Sequence, residues 1–183
     1  GSRYIVKCLT SVFSNKYEGQ FDVLVVDNDS RDNTAEIVAK EFPQAGLIKL
    51  NSNLGFVGGN NIGIKKALEK GCDYIILLNQ DTEVEYDWLK KLVEAAAPKE
   101  VGILQSMLLL ANERALTNNV GNAMHYLGFG FVKHYRERVD SWYHRPPFEI
   151  GYASGAAMLI KREVLEKLSL APLTPAPSQR ERG

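Results

Sequence analysis

Residues 73–83 read DYIILLNQDTE, and this stretch decides the fold that the sequence predicts. Tyr74–Leu78 is an unbroken apolar run, which is typical of a strand covered on both faces. A polar tip with Asn79 and Asp81 follows it, and residues 88–96 then repeat apolar side chains at helical spacing. A strand, a polar tip and a helix in this order place ligand-binding groups at the carboxyl end of an open α/β sheet. Asp81 is therefore the first candidate for a functional side chain.

The same alternation of strand and helix runs through most of the first 110 residues. Apolar runs that predict strands are separated by amphipathic stretches that predict helices. This arrangement is typical of an α/β protein with an open, mostly parallel sheet and helices on both faces. The predicted strands are 21–26, 47–50, 74–78, 101–110 and 152–160, and the predicted helices are 4–13, 34–42, 64–70, 88–96 and 162–168.

Two parts of the chain are less regular. Residues 111–149 are rich in glycine, aromatic and cationic residues and show no period, so we expect loops and a small irregular sheet. Residues 169–183 hold Pro172, Pro175 and Pro177 and few large apolar groups, which predicts a disordered proline-rich tail. We therefore expect one domain, residues 1–168, followed by this tail.

The bulk composition excludes several classes of protein. The 183 residues include 22 basic and 22 acidic side chains, so no net charge attracts the chain to nucleic acid. No apolar run approaches the ~20 residues of a membrane span, and the first residues do not resemble a signal peptide. Cys8 and Cys72 match no metal or redox spacing, which favours two buried thiols in a reducing compartment. These features predict a cytoplasmic protein.

A second polar cluster and a segment rich in glycine and asparagine lie between the first strands. The strand 21–26 ends at Asp27, which opens a run of short polar residues that favour turns and helix caps. Residues 51–63, NSNLGFVGGNNIG, allow positive φ angles and a close approach of the backbone to a ligand. This segment lacks both the P-loop pattern and the dinucleotide-binding glycine pattern. Taken alone, it is weak support for any one ligand.

Five motifs together resemble family 2 glycosyltransferases, and in particular the rhamnosyltransferase-like branch. They stand in the order of the family, and the resemblance around them extends from about residue 4 to residue 168. The motifs are VVDN (25–28), NLGF (53–56), GGNNIG (58–63), LLNQD (77–81) and ASGAAM (153–158). The resemblance implies a GT-A (Rossmann-like) fold, here incomplete, a nucleotide-sugar donor and a divalent cation, Mg²⁺ or Mn²⁺.

The resemblance also implies a reaction. A UDP- or dTDP-sugar would donate its sugar to a saccharide or lipid-linked acceptor, with metal assistance and inversion at the anomeric carbon. The diphosphate that leaves gains negative charge, and a divalent cation stabilises this charge without proton transfer. Such an enzyme would act in the biosynthesis of bacterial surface polysaccharide, in the cytoplasm or peripherally at the inner face of the membrane.

The matching motifs imply roles for particular residues. Asp81 matches the metal-binding aspartate of the family, and Asn79 stands where many relatives carry the first acid of an Asp-X-Asp-like motif. Because an amide contributes no charge, we expect weak metal affinity in the absence of donor. The alternative is that Asp81 caps the following helix. The donor-binding residues that the motifs imply are Asp27, Asn53, Gly55, Asn61 and Gly155.

Simpler interpretations exist for some of these residues. Asp27 matches a position that contacts the nucleoside, yet an ordinary turn aspartate would look the same. Gly155 matches a glycine that leaves room near the donor sugar, yet a strand glycine packed against a neighbour is equally consistent. His125, His134 and His144 do not lie at ligand spacing. The aromatic and cationic residues around them either line an acceptor groove or form a solvated loop.

Two features expected from the family have no counterpart in the sequence. Relatives begin with a strand that ends in a polar turn, and they carry an acidic catalytic base well beyond the Ser-Gly-Ala strand. This chain starts at the following helix and offers no identifiable base, so we expect a transferase cut short at both ends. The alternatives are a non-catalytic remnant that at most binds nucleotide sugar and an unrelated dinucleotide-binding protein. A missing first strand would also expose a sheet edge and favour self-association.

Overall fold

The computed structural model describes residues 1–169, which form five α-helices and nine strands. The helices are α1 (Ser2–Phe13), α2 (Thr34–Glu41), α3 (Gly55–Glu69), α4 (Trp88–Ala96) and α5 (Arg162–Ser169). The strands are β1 (Leu24–Asp27), β2 (Gly46–Lys49), β3 (Tyr74–Leu78), β4 (Ile103–Gln105), β5 (Leu108–Leu110), β6 (Glu113–Asn119), β7 (Gly121–Met124), β8 (Gly130–Lys133) and β9 (Ala157–Lys161). From residue 170 onward, the predicted proline-rich tail lies outside the described residues.

The strands form several small sheets rather than one continuous sheet. β1 and β2 are parallel, with Leu24 opposite Gly46 and Asp27 opposite Lys49. β9 lies between β3 and β4 and runs antiparallel to both, so β3 and β4 share one direction. β5 pairs with β6, and β7 with β8, as antiparallel ribbons. The α/β class is confirmed, whereas the expected parallel order holds only for β1 with β2 and for the common direction of β3 and β4.

The antiparallel course of β9 follows from the way in which the chain reaches it. Parallel neighbours need a crossover connection, usually a helix, as α2 provides between β1 and β2. Between β4 and β9 the chain instead passes through β5 to β8 and enters the sheet at the end where β3 stops. As a result, the residues just before β9 lie beside the residues just after β3.

Helices cover both faces of the sheet formed by β3, β9 and β4. Ile75 and Ile160 point to one face, where they pack with Leu165 of α5 and with apolar side chains of α3. Leu159, which is fully buried, points to the opposite face and packs with Leu92 of α4. This alternation explains the unbroken apolar run in β3, because apolar side chains pack against both faces of the strand. A further core joins α1 and α2 to the sheet of β1 and β2.

Two predicted strands are shorter than the sequence suggests. Residues 101–110 form two strands, because the chain pairs with β9 up to Gln105 and pairs with β6 from Leu108 onward. The predicted strand 152–160 begins only at Ala157. Before it, the Ser154 N–H donates to the side chain of Gln105 rather than to a neighbouring strand.

Residues 111–149 form the expected mixture of loops and small antiparallel sheets. The turn between β7 and β8 carries exposed side chains of Tyr126, Leu127 and Phe129. A 3-10 turn, Val139–Ser141, leads to Trp142, which is buried. Among the helices of the described residues, none is long and apolar enough to cross a membrane.

Candidate functional site

Asp27 is the last residue of β1, and most of its side chain is enclosed. It is 6% exposed, and its Oδ1 atom is buried without a hydrogen-bond partner among residues 1–169. A buried acceptor without a partner costs about 1–3 kcal/mol. The Asp27 carbonyl accepts a hydrogen bond from the Leu50 N–H at 2.9 Å, which fixes the end of β1 beside the segment that follows β2. The protein therefore holds this carboxylate in place at an energetic cost.

Asn28 connects the end of β1 to the start of α3. Its Oδ1 atom accepts a hydrogen bond from the Leu54 N–H at 2.8 Å, and its Nδ2 atom donates to the Gly55 carbonyl at 2.9 Å. Nδ2 also donates to Asn53 Oδ1 at 3.2 Å, and the same oxygen accepts from the Gly55 N–H at 2.8 Å. The sequence-based interpretation gave Asn28 no role. Its place in the motif 25–28 was the only signal that could have identified it.

The segment predicted as a donor-binding loop is partly helical. α3 begins at Gly55, so Asn61 lies six residues inside the helix, where its side chain is exposed. Gly55 has a φ of +71°, and a Cβ atom there would meet nothing within 4 Å. A Cβ atom on Gly59 would lie 3.3 Å from Asn28 Nδ2, so the helix approaches the end of β1 closely. Gly55 therefore permits a positive φ angle at the start of α3, and Gly59 permits the close contact between α3 and Asn28.

A tight turn follows β3. The Asn79 N–H donates to the Ala156 carbonyl at 2.9 Å, and the Asn79 carbonyl accepts from the N–H and the Oγ1 hydroxyl of Thr82 at 3.2 and 2.6 Å. Asp81 lies within this turn with its side chain exposed. No other group within residues 1–169 forms a hydrogen bond or ion pair with its carboxylate. It does not cap the next helix, since α4 starts at Trp88 with Asp87 as its N-cap.

Gly155 and Ala156 form the contact between the start of α3 and the turn after β3. A Cβ atom on this residue would lie 2.8 Å from Cζ of Phe56, so the Phe56 ring packs directly against the glycine. Phe56 adjoins Gly55 in α3, and Ala156, next to Gly155, binds Asn79. The neighbour that packs against Gly155 is thus the start of α3 rather than another strand. Of the sequence-predicted residues, Asn79 and Gly155 therefore meet at one turn, and Gly55 is the chain neighbour of Phe56, which packs against Gly155.

The donor set around Asp81 fits a cation that is shared with a ligand. Asp81 supplies a free carboxylate, and Asn79 supplies an amide oxygen two residues earlier. Within the described part of the chain, no group of three or more His, Cys, Asp or Glu side chains could hold a metal ion. Mg²⁺ and similar hard cations are often bound by one or two carboxylates, with phosphate and water completing the shell. These residues therefore fit such a site.

Cys8 of α1 lies directly behind this turn. Its thiol donates a weak hydrogen bond to the Asn79 carbonyl at 3.7 Å. Burial raises the pKa of the Cys8 thiol, a hydrogen bond with Thr82 opposes this effect, and the charges of Asp81 and Glu83 reinforce it. The thiol therefore stays protonated and neutral beside the turn. Both Cys8 and Cys72 are free thiols; Cys8 is buried as predicted, whereas Cys72 is only partly buried, so that prediction is wrong for Cys72.

Two curated relatives show what the chain is similar to. It is 24% identical over 163 residues to the dTDP-rhamnosyl transferase RfbF of Shigella flexneri, covering 88% of this chain and 51% of the relative. It is 34% identical over 88 residues to the poly-beta-1,6-N-acetyl-D-glucosamine synthase of Staphylococcus aureus (strain COL), covering 47% of this chain and 20% of the relative. The chain therefore spans about half the length of the first relative and less of the second.

Two solved structures share the fold. The mannosyltransferase PcManGT of Pyrobaculum calidifontis, in complex with GDP-Man and Mn²⁺, aligns with a TM-score of 0.60 at 19% identity, over 92% of this chain and 43% of its own. TarS 1–349 of S. aureus aligns with a TM-score of 0.60 at 18% identity, over 92% of this chain and 46% of its own. Both have the GT-A fold, so that prediction is confirmed. Residues 2–169 match glycosyl transferase family 2, and the chain therefore belongs to this family.

Proposed function

We propose that residues 1–169 are the donor-binding part of a glycosyltransferase that transfers a sugar from a UDP- or dTDP-sugar to a saccharide or lipid-linked acceptor, with inversion. The family match supports the reaction class. The observation that carries the proposal is the exposed, unpaired carboxylate of Asp81 beside Asn79, which is bonded to the turn at Gly155 and Ala156. Because that turn contacts Phe56, the proposed metal-binding and donor-binding residues border one site.

In this proposal Asp81 and Asn79 hold a divalent cation, Mg²⁺ or Mn²⁺, against the diphosphate of the donor. When bound, the cation stabilises the charge of the leaving diphosphate. The chain contributes one carboxylate and one amide oxygen and leaves the other positions to phosphate and water, so metal affinity depends on the donor. The neighbour PcManGT was solved with GDP-Man and Mn²⁺ together, which supports this pairing.

The remaining predicted donor residues are assigned to the nucleotide. Asp27 is assigned to the nucleoside because it ends β1 directly before Asn28, which binds the start of α3. Asn53 shapes the turn before α3, and Gly55 leaves open space beside its Cα atom. Asn61 contributes an exposed amide on α3. The first N–H groups of this 15-residue helix suit the negative charge of the diphosphate.

We assign the acceptor to a cavity of about 380 Å³ in the region after β8. Its lining combines cationic and aromatic side chains: Lys133, His134, Trp142, Arg145, Pro146 and Phe148. The Arg145 guanidinium lies 4.4 Å from the centroid of the Trp142 ring, and the Phe148 ring lies 5.8 Å from it. Trp142 is buried and supports the lining, whereas the exposed Phe148 ring suits the apolar face of a sugar and the Arg145 guanidinium suits the phosphate of a lipid-linked acceptor. This arrangement favours an acceptor groove over a solvated loop.

The alternative proposal is a non-catalytic chain that binds nucleotide sugar. The observation that favours it is the lack of an assigned catalytic base among residues 1–169. In both cases we place the protein in the cytoplasm or at the inner face of the membrane, in the synthesis of bacterial polysaccharide. Membership of family 2 argues against the alternative of an unrelated dinucleotide-binding protein.

A thermal-shift screen tests the proposed donor. UDP, dTDP, their sugar conjugates and NAD are compared with and without Mn²⁺. We expect a rise in melting temperature only when metal is present together with UDP, dTDP or one of their sugar conjugates, and a shift with NAD alone would contradict the proposal. Release of nucleoside diphosphate in a turnover assay then separates a transferase from a non-catalytic binder.

We also propose self-association through a strand edge. Within residues 1–169, β1, β2, β3 and β4 each pair on one side only. An unpaired edge presents N–H and C=O groups that can add a strand from another chain. Light scattering is expected to show a species larger than the monomer, and a single monomeric species would contradict this proposal.

A further inference from the structure

Three side-chain amides from different small sheets form a closed ring of hydrogen bonds. Gln105 Nε2 donates to Asn119 Oδ1 at 3.0 Å, and Asn119 Nδ2 donates to Asn122 Oδ1 at 3.0 Å. Asn122 Nδ2 closes the ring by donating to Gln105 Oε1 at 2.9 Å. Asn119 and Asn122 are 5% and 2% exposed. Gln105 ends β4, Asn119 ends β6 and Asn122 lies in β7, so the ring joins three sheets.

Backbone donors fix the direction of this ring. The Ser154 N–H donates to Gln105 Oε1 at 2.7 Å, and the Gly121 N–H donates to Asn119 Oδ1 at 2.8 Å. Because a backbone N–H can only donate, each of these two amides must present its oxygen at that place. Every member of the ring then both donates and accepts, and the polar groups of the buried amides are satisfied.

The ring connects to the proposed donor site through one short turn. Gln105 holds the N–H of Ser154, and Asn122 Nδ2 also donates to the Tyr152 carbonyl at 3.2 Å. Beyond Ser154, Gly155 supports the Phe56 ring and the Ala156 carbonyl accepts from Asn79. One turn therefore meets the amide ring on one side and, on the other, Asn79 after β3 and Phe56 at the start of α3.

We propose that Gln105, Asn119 and Asn122 are positioning residues that hold the turn 154–156 at the spacing at which it borders the donor sugar. This role rests on the proposed function, whereas the contact between the ring and the turn does not. A core position that served packing alone would be filled by an apolar side chain, since buried amides must satisfy each polar group. Here the ring places Gln105 Oε1 where it accepts a hydrogen bond from the Ser154 N–H, which has no partner on a neighbouring strand within residues 1–169.

The test compares three variants of the whole chain. Gln105→Met removes the side-chain hydrogen bonds of the residue and leaves its backbone pairing with β9 in place. Gln105→Glu keeps an acceptor for the Ser154 N–H, but its carboxylate cannot donate a hydrogen bond to Asn119. Ser106→Ala is the matched control, because it removes one hydrogen bond, from Trp88 Nε1, at the next residue. Amide hydrogen exchange at Ser154, melting temperature, and affinity for dTDP-rhamnose and dTDP with Mn²⁺ are measured for each.

In Gln105→Met we expect exchange at Ser154 to become about tenfold faster, with a smaller change in Gln105→Glu. We expect the Kd of dTDP-rhamnose to rise about fivefold in Gln105→Met, while the Kd of dTDP stays within about twofold. Ser106→Ala should change neither Kd. A purely structural role would lower the melting temperature and leave both Kd values of the folded protein unchanged.

Three results would overturn the proposal. They are unchanged exchange at Ser154 in Gln105→Met, an equal loss of affinity for dTDP and dTDP-rhamnose, or the same exchange rate in Gln105→Glu as in Gln105→Met. If Gln105→Met does not fold, the proposal is tested by comparing Gln105→Glu with Ser106→Ala. The exchange rate at Ser154 and the two Kd values are then the quantities that support or contradict it. If the unmodified chain binds neither nucleotide, the proposed function fails, and exchange alone still decides whether the ring holds the turn.

Discussion

The ends of β1 and β3 both carry an aspartate, but the protein surrounds the two carboxylates in opposite ways. Asp27 is 6% exposed, and one of its oxygens is buried without a partner, whereas Asp81 is exposed. After Asp27, Asn28 turns back to bind the start of α3. After Asn79, the turn that Thr82 closes leaves Asp81 outside. The strand end fixes where a side chain lies, and the residues after it decide how much water it meets.

Substitution Asp81→Ala tests the exposed member of the pair, and we expect it to have the largest effect. It should abolish the Mn²⁺-dependent rise in melting temperature that a sugar nucleotide causes, because the only proposed carboxylate ligand is lost. Without ligand, the free energy of unfolding should change by less than about 0.5 kcal/mol, as for other exposed sites. Asp73→Ala, at the opposite end of β3, is the matched control and should keep the shift. An unchanged shift in Asp81→Ala would remove Asp81 from the site.

Substitution Asn28→Ala tests the hydrogen bonds that connect the end of β1, beside Asp27, to the start of α3. Three hydrogen bonds to residues 53–55 disappear, so the free energy of unfolding in urea should fall by about 1–3 kcal/mol. Asn60→Ala removes a single hydrogen bond, to the Phe56 carbonyl within α3, and should cost less. Equal losses in the two variants would show that Asn28 does not connect β1 to α3.

Substitution Asp27→Ala separates stability from binding at the enclosed tip. Because Oδ1 has no partner among the described residues, its removal should leave the free energy of unfolding unchanged or raise it by about 1 kcal/mol. Affinity for dTDP with Mn²⁺ should fall about tenfold if the carboxylate receives a nucleoside donor. Urea unfolding and calorimetry measure the two quantities. A large loss of stability with intact binding would make Asp27 a structural residue.

The smallest expected effect concerns Cys8, which lies behind Asp81. Burial is the main cause that raises the pKa of its thiol above the ordinary value of 9.0, so the unfolded chain loses this proton first as pH rises. The contribution to stability is therefore complete below about pH 9 and declines above it. Urea unfolding between pH 7 and 10 should show this decline, and Cys8→Ala should weaken it. Asp81→Ala should reduce it slightly, because one charge that raises the pKa is gone.

The regular elements of the chain were largely predictable from sequence. The helix predicted at 88–96 has those bounds in the structure, because its apolar spacing and the Pro98 that follows leave little choice. β3 was predicted equally well, since both of its faces are buried. The tip with Asn79 and Asp81 followed from the position of the strand end.

Features that depend on distant partners were not predictable. The helical course of residues 55–63 was missed because glycine disfavours a helix in isolation, whereas here Asn28 and Gly155 give this helix its contacts. The ring of Gln105, Asn119 and Asn122 leaves no periodic trace, since its members come from three strands. Single amides at such positions look like ordinary polar residues until the fold is known.

Gln105 and Ser154 join the two ends of the excursion 106–153 to one another across 2.7 Å. We call residues 106–153 a cassette, because this hydrogen bond joins the residues on either side of them. A change in the length of such a loop alters the entropy of closing it only slowly. Asn119 and Asn122 lie inside this segment and belong to the ring, so only the loops outside these two residues can be lengthened, shortened or replaced while the frame of α3, β3 and β9 keeps its geometry. Divergence in what the protein recognises can therefore accumulate in those loops of the cassette.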